Sequence, residues 1–112
     1  MSEDEALAAA LRVLREQYLA DAPDRLAELW STFARVQFGD PAALEKLQSL
    51  THRLAGTGGA YGFPGVTDAA RAVELACRAL RDAGRTPVPS ELAGLRVMIE
   101  GVADAFGATP QE

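Results

Sequence analysis

The stretch Leu44-Glu45-Lys46-Leu47-Gln48-Ser49-Leu50-Thr51-His52-Arg53-Leu54-Ala55-Gly56-Thr57-Gly58 decides how this chain folds. Leu44, Leu47, Thr51, Leu54 and Gly58 recur at steps of three and four, the period of one helix face, and Leu50 flanks that stripe. Just before it, Gly39-Asp40-Pro41 supplies a helix stop, an N-cap and a first-position proline in succession. A helix from Pro41 to about Gly59 follows. Nowhere does the chain show the two-residue alternation of a half-buried strand.

Working outward, helical periodicity fills most of the chain. Ser2 and Glu5 have capping-box spacing, and Leu7, Leu11, Leu14, Tyr18 and Leu19 then recur to about Ala20. Asp21 and Pro23 predict a break and a restart. The next helix places Leu26, Leu29, Trp30, Phe33 and Val36 on one side and Arg25, Glu28 and Arg35 on the other. Beyond the central stretch, Tyr61-Gly62-Phe63-Pro64-Gly65 reads as a loop, Val66 to Asp82 as a helix and residues 83–89 as a longer loop. A last helix runs from about Ser90 to Phe106 on Leu92, Leu95, Met98, Ile99, Val102 and Phe106, and the tail 107–112 is expected to fray. Five helices with short connections predict an all-α, up-and-down four-helix bundle with an additional N-terminal helix.

The bulk numbers agree. With 112 residues, 48% hydrophobic and 24% charged, the chain suits one soluble domain. Its net charge of -5 argues against a nucleic-acid partner, which needs a concentrated basic face. No apolar run approaches the roughly 20 residues of a membrane span. The acidic start (Glu3, Asp4, Glu5) is unlike a secretory signal. A single cysteine, Cys77, at apolar spacing with Val73, Ala76 and Leu80, reads as a buried thiol in a reducing cytoplasm.

His52 is the single histidine. It lies about 100° from Thr51 and about 160° from Leu54, away from the inward stripe. Its helical neighbours Gln48, Ser49, Ala55, Gly56 and Gly59 are all small or uncharged. Accepting Gly56, Gly58 and Gly59 gives up roughly 2–3 kcal/mol of helix propensity. Close helix packing explains Gly58, and the approaching helix end partly explains Gly59. Gly56 is best explained by clearance for a partner's approach to the imidazole. One histidine and a distant cysteine are too few ligands for zinc. Ser49 beside His52 lacks an oxyanion site for hydrolysis.

The segment His52-Arg53-Leu54-Ala55-Gly56-Thr57-Gly58, followed by Gly59-Ala60-Tyr61-Gly62-Phe63, resembles the signature of histidine-containing phosphotransfer (HPt) domains. Gly62-Phe63 is also similar to the N-terminal phosphotransfer domain of chemotaxis histidine kinases, and the likeness extends from about Tyr18 to Phe106. It implies a four-helix bundle with an exposed phosphoacceptor, here His52. That residue would take a phosphoryl group from, and return it to, an aspartate of response-regulator receiver domains, upstream of which stands a histidine kinase.

The resemblance implies a phosphocarrier without kinase activity and without a cofactor of its own, with Mg²⁺ on the partner receiver. In the chemotaxis-type domains a glutamate 22 residues after the histidine accepts a hydrogen bond from it, and Glu74 stands at that spacing. Glu74 is equally a solvated helix charge paired with Arg71 or Arg78. The family commonly has lysine three positions after the histidine, where this chain has Ala55; Arg71 is the candidate phosphoryl stabiliser in its stead. Gln48, Ser49, Ala55, Gly56 and Gly59 form the expected docking face. The rival reading is a helical adaptor that binds receivers or other signalling proteins without accepting phosphate.

Overall fold

The computed structural model describes residues 2–107. Four α-helices follow in order: α1 (Glu3–Gln37), α2 (Ala43–Gly58), α3 (Pro64–Asp82) and α4 (Pro89–Phe106), with a 3-10 turn at Gly59–Tyr61 after α2. Among the described residues α1 packs on α2, α2 on α3, α3 on α4 and α4 back on α1, while the backbones of the diagonal pairs do not approach closely. The bundle is therefore up-and-down around a square, with Leu29, Leu47, Val66, Val73, Leu95 and Ile99 at its centre.

The expected break at Asp21–Pro23 does not occur. α1 runs unbroken for 35 residues with Pro23 inside it, so the additional N-terminal helix is the first half of α1. An interior proline costs about 3 kcal/mol because it removes a hydrogen bond and crowds the preceding turn. Here Leu19 and Pro23 lie on the solvent side, where water can hydrate the orphaned carbonyl. Tyr18 and Ala22 beside them are buried, and leaving the helix would pull both out of the core. At the N-terminus Ser2 Oγ accepts the Glu5 N–H at 3.1 Å. α1 is about 52 Å long, at 1.5 Å per residue, and overhangs a bundle whose other helices span 16 to 19 residues. Leu7 on that overhang is accordingly 61% exposed.

Other boundaries shift by one or two residues. Asp40 Oδ1 accepts the Ala42 N–H at 3.0 Å, and α2 begins at Ala43. Pro64 and Pro89 each occupy the first turn of α3 and α4, which start slightly earlier than the apolar pattern indicates. Of the apolar positions expected on the last helix, Met98 is exposed, whereas Leu95, Ile99, Val102 and Phe106 are buried. Trp30 is half-buried and meets Phe33 edge-on at 6.0 Å. Of the tail expected to fray, only Gly107 is described; 108–112 lie outside the described residues.

Candidate functional site

α2 is held by two faces with different jobs. Its inward stripe (Leu44, Leu47, Thr51, Leu54, Gly58) is buried as the sequence predicts. Thr51 satisfies its own buried hydroxyl by donating to the Leu47 carbonyl at 2.9 Å. The C-terminal end of α2 is pinned to the start of α3. A Cβ on Gly58 would stand 2.9 Å from the Thr67 backbone nitrogen and 3.0 Å from the Phe63 carbonyl oxygen, so only glycine fits. Thr67 completes the junction: its hydroxyl donates to the Ala55 carbonyl at 2.7 Å and accepts the Gly59 N–H at 2.8 Å. Gly62 turns the chain with φ +91°, a conformation that favours glycine.

That junction fixes the register between α2 and α3, and the register sets the pair that matters. His52 projects from the middle of α2 with its side chain 74% exposed. Its Nδ1 lies 2.8 Å from Glu74 Oε1 on α3. A carboxylate only accepts, so Nδ1 donates this bond, and in the neutral ring Nε2 then has the lone pair. Glu74 is not a solvated helix charge: only 11% of its side chain is exposed. Arg78 Nη2 approaches the same Oε1 at 4.0 Å.

Shallow clefts flank the ring on both sides. One is bounded by Ala55, Gly56, Arg71, Glu74 and Leu75. Gly56 is exposed, and a Cβ added there would have no neighbour within 4 Å. The other cleft, about 540 Å³, runs past Gln48, Ser49, Arg78 and Arg81.

Of the expected docking face, Ser49, Gly56 and Gly59 are exposed and Gln48 is half-buried. Ala55 departs from expectation. It is only 6% exposed, because it follows buried Thr51 by four residues and precedes Gly58 by three, on the flank facing α3. Arg71 is exposed on α3, but among the described residues no hydrogen bond or ion pair joins it to His52 or Glu74. The guanidiniums on the other side, Arg78 and Arg81, were not singled out from the sequence as phosphoryl ligands. Their signal was there: Glu74, Arg78 and Arg81 follow steps of four and three on one face of α3.

The model of the Hpt domain matches residues 13–105. This chain belongs to the Hpt domain family. The match begins within α1 and leaves out most of its overhang. Comparison with curated proteins and with solved structures gave no match. An Hpt domain has a general role in histidine phosphotransfer within phosphorelays and is a phosphocarrier, not a kinase. Hpt domains work between kinases and receiver domains. Among the described residues no helix is long and apolar enough to cross a membrane, and no three His, Cys, Asp or Glu side chains gather as a metal site.

Proposed function

We propose that this Hpt domain carries its phosphoryl group on His52, exchanging it with an aspartate of response-regulator receiver domains downstream of a histidine kinase. The observation that carries the reading is the 2.8 Å bond from His52 Nδ1 to Glu74, which dedicates Nε2 to chemistry while the ring stays largely exposed.

The step balances without a proton acceptor. The Nε2 lone pair attacks the phosphorus of an aspartyl phosphate, a P–N bond forms, and the P–O bond breaks to release the carboxylate. Nδ1 keeps its proton throughout, and Glu74 steadies the positive character that grows on the ring, as the third member of a catalytic triad does. Reversal returns the group to a receiver. Phosphoryl transfer demands alignment and charge neutralisation more than covalent assistance. On this reading the Mg²⁺ and the acidic pocket belong to the receiver. Gly56, with open space where a side chain would stand, gives the receiver its approach, and Gln48, Ser49 and Gly59 border the contact. The exchange takes place in the cytoplasm.

The test is incubation of the chain with a phosphorylated receiver, followed by intact mass and acid lability of the product. A gain of one acid-labile phosphoryl group that disappears in His52→Gln is expected. Binding to the receiver with no label would overturn the carrier reading and identify an adaptor instead.

A further inference from the structure

Phosphorylated His52 would place about two negative charges on a chain that already has a net charge of -5. The cation that the family resemblance leads one to expect on α2 is replaced by Ala55, whose side chain is buried. The surroundings of the ring are unequal in the positive groups they offer the new charge. The Gly56 side offers Ala55, Leu75 and an Arg71 with no bond to the site. The opposite cleft is lined by Arg53, Arg78 and Arg81, with Glu45 at its edge, and there Arg78 meets Glu74 and Arg81 meets Gln48 beside the ring.

Arg78 Nη2 is 4.0 Å from Glu74 Oε1, itself 2.8 Å from His52 Nδ1, so this nitrogen sits within about 7 Å of the ring even with the two links end to end. At 4.0 Å Arg78 is attracted to Glu74 without a hydrogen bond to it. Arg81 reaches from α3 across to α2, where its Nη1 donates to Gln48 Oε1 at 2.7 Å. Gln48 precedes His52 by four residues on the same face of α2, and His52, Gln48, Arg78 and Arg81 line one cleft. Both side chains are in solvent contact and can swing. A phosphoryl oxygen offers a guanidinium opposite charge as well as a hydrogen bond, which the neutral Gln48 amide does not, so Arg81 gains by leaving Gln48 once the phosphoryl group arrives.

We infer that Arg78 and Arg81 form the phosphoryl-binding flank of this site: they hold the oxygens of the group on His52 Nε2 from the N-terminal side of α2 and leave the Gly56 side bare for the receiver. In the unphosphorylated chain Arg78 is kept in place by Glu74 and Arg81 by Gln48. This inference rests on His52 being the acceptor.

The experiment uses potassium phosphoramidate, a small donor that needs no partner protein. The wild-type chain, His52→Gln, Arg71→Ala, Arg78→Ala with Arg81→Ala, and the corresponding double lysine variant are phosphorylated at low and at 1 M salt. Labelling is followed by intact mass and by the ³¹P resonance of the phosphohistidine, and folding by circular dichroism. The double alanine variant should label about fivefold more slowly, the upper range for an exposed charge pair, and its ³¹P resonance should move. The double lysine variant should recover most of the rate at low salt, and the difference should fade at 1 M salt, where screening reaches about 3 Å. Arg71→Ala should cost less than the double variant. A folded double alanine variant with wild-type rate and resonance overturns the inference while leaving His52 as acceptor, and so does a larger loss in Arg71→Ala. A wild-type chain that takes no label on His52 overturns both.

Discussion

Replacing Gly56 should make this protein more stable and a poorer partner at once. Gly56 has an ordinary helical φ, since the left-handed glycines are Gly39, Gly62 and Gly84. A Cβ there would meet nothing within 4 Å. The helix-propensity difference is therefore recovered without steric cost: about 0.5–1 kcal/mol for Gly56→Ala, and within a few tenths of that for Gly56→Gln. For a domain of this size that corresponds to a rise of roughly 2–4 °C in midpoint, measurable by thermal denaturation followed by circular dichroism. The glutamine side chain would stand one turn from His52, with about 5–6 Å between the two Cβ atoms, in the path a receiver needs. Transfer from a phosphorylated receiver should slow at least tenfold in Gly56→Gln, while labelling by phosphoramidate, which needs no clearance, should stay within about twofold. Gly56→Ala should fall between wild type and Gly56→Gln with the receiver. Receiver transfer at the wild-type rate in a folded Gly56→Gln would refute the clearance argument. A fall in stability would refute the reading that Gly56 has no packing role.

The neighbouring glycine should behave in the opposite way: Gly58→Ala forces its methyl against backbone atoms of Phe63 and Thr67 and should lower stability by about 1–3 kcal/mol in urea denaturation. Glu74→Ala should slow labelling of His52 roughly tenfold, the value of one hydrogen bond to a charged group, with the bundle intact; Glu74→Gln, which can still accept from Nδ1, should fall between it and wild type. Burial pushes the Cys77 thiol up to about 12, with Arg81 opposing and Glu74 adding to the shift. The unfolded thiol titrates near 8.5, so the contribution is complete below that pH and stability should fall above it, by up to about 1.4 kcal/mol per pH unit. Urea midpoints measured from pH 7 to 10.5 should show that slope in wild type and a flatter profile in Cys77→Ala. Leu47→Ala, at a fully buried position, should cost about 2–5 kcal/mol, whereas Leu7→Ala on the α1 overhang should stay within about 0.5 kcal/mol; comparable losses would mean the overhang is packed against something.

The α2 segment shows how far local pattern reaches. Steps of three and four on Leu44, Leu47, Thr51, Leu54 and Gly58 are enough to define an inward face. The outward direction of His52 follows from the same arithmetic, because 3.6 residues per turn leave no freedom once the buried stripe is known. The stops at Gly39-Asp40-Pro41 and at Gly62 are equally local, since glycine and proline limit the backbone whatever surrounds them. The pairing of His52 with Glu74 is implied by the resemblance to chemotaxis-type domains, and its alternative as a surface charge is decided only by the burial of Glu74.

The tertiary structure alone decided what depends on distances between helices. Whether Pro23 ends a helix turns on what its neighbours would lose, and Tyr18 and Ala22 hold α1 together through core contacts that no local window contains. Ala55 reads as a member of the open face until α3 packs against it. Arg71, Arg78 and Arg81 share one helix and similar sequence surroundings. Only the α2–α3 register, locked where Gly58 meets Phe63 and Thr67, brings the last two to the Gln48 side of His52 and leaves Arg71 on the other. The sequence by itself determined the helices, their inward faces and the residue that stands out from them. Packing determined which charges that residue meets, because a helix period sets direction around its own axis and only contact between helices sets distance.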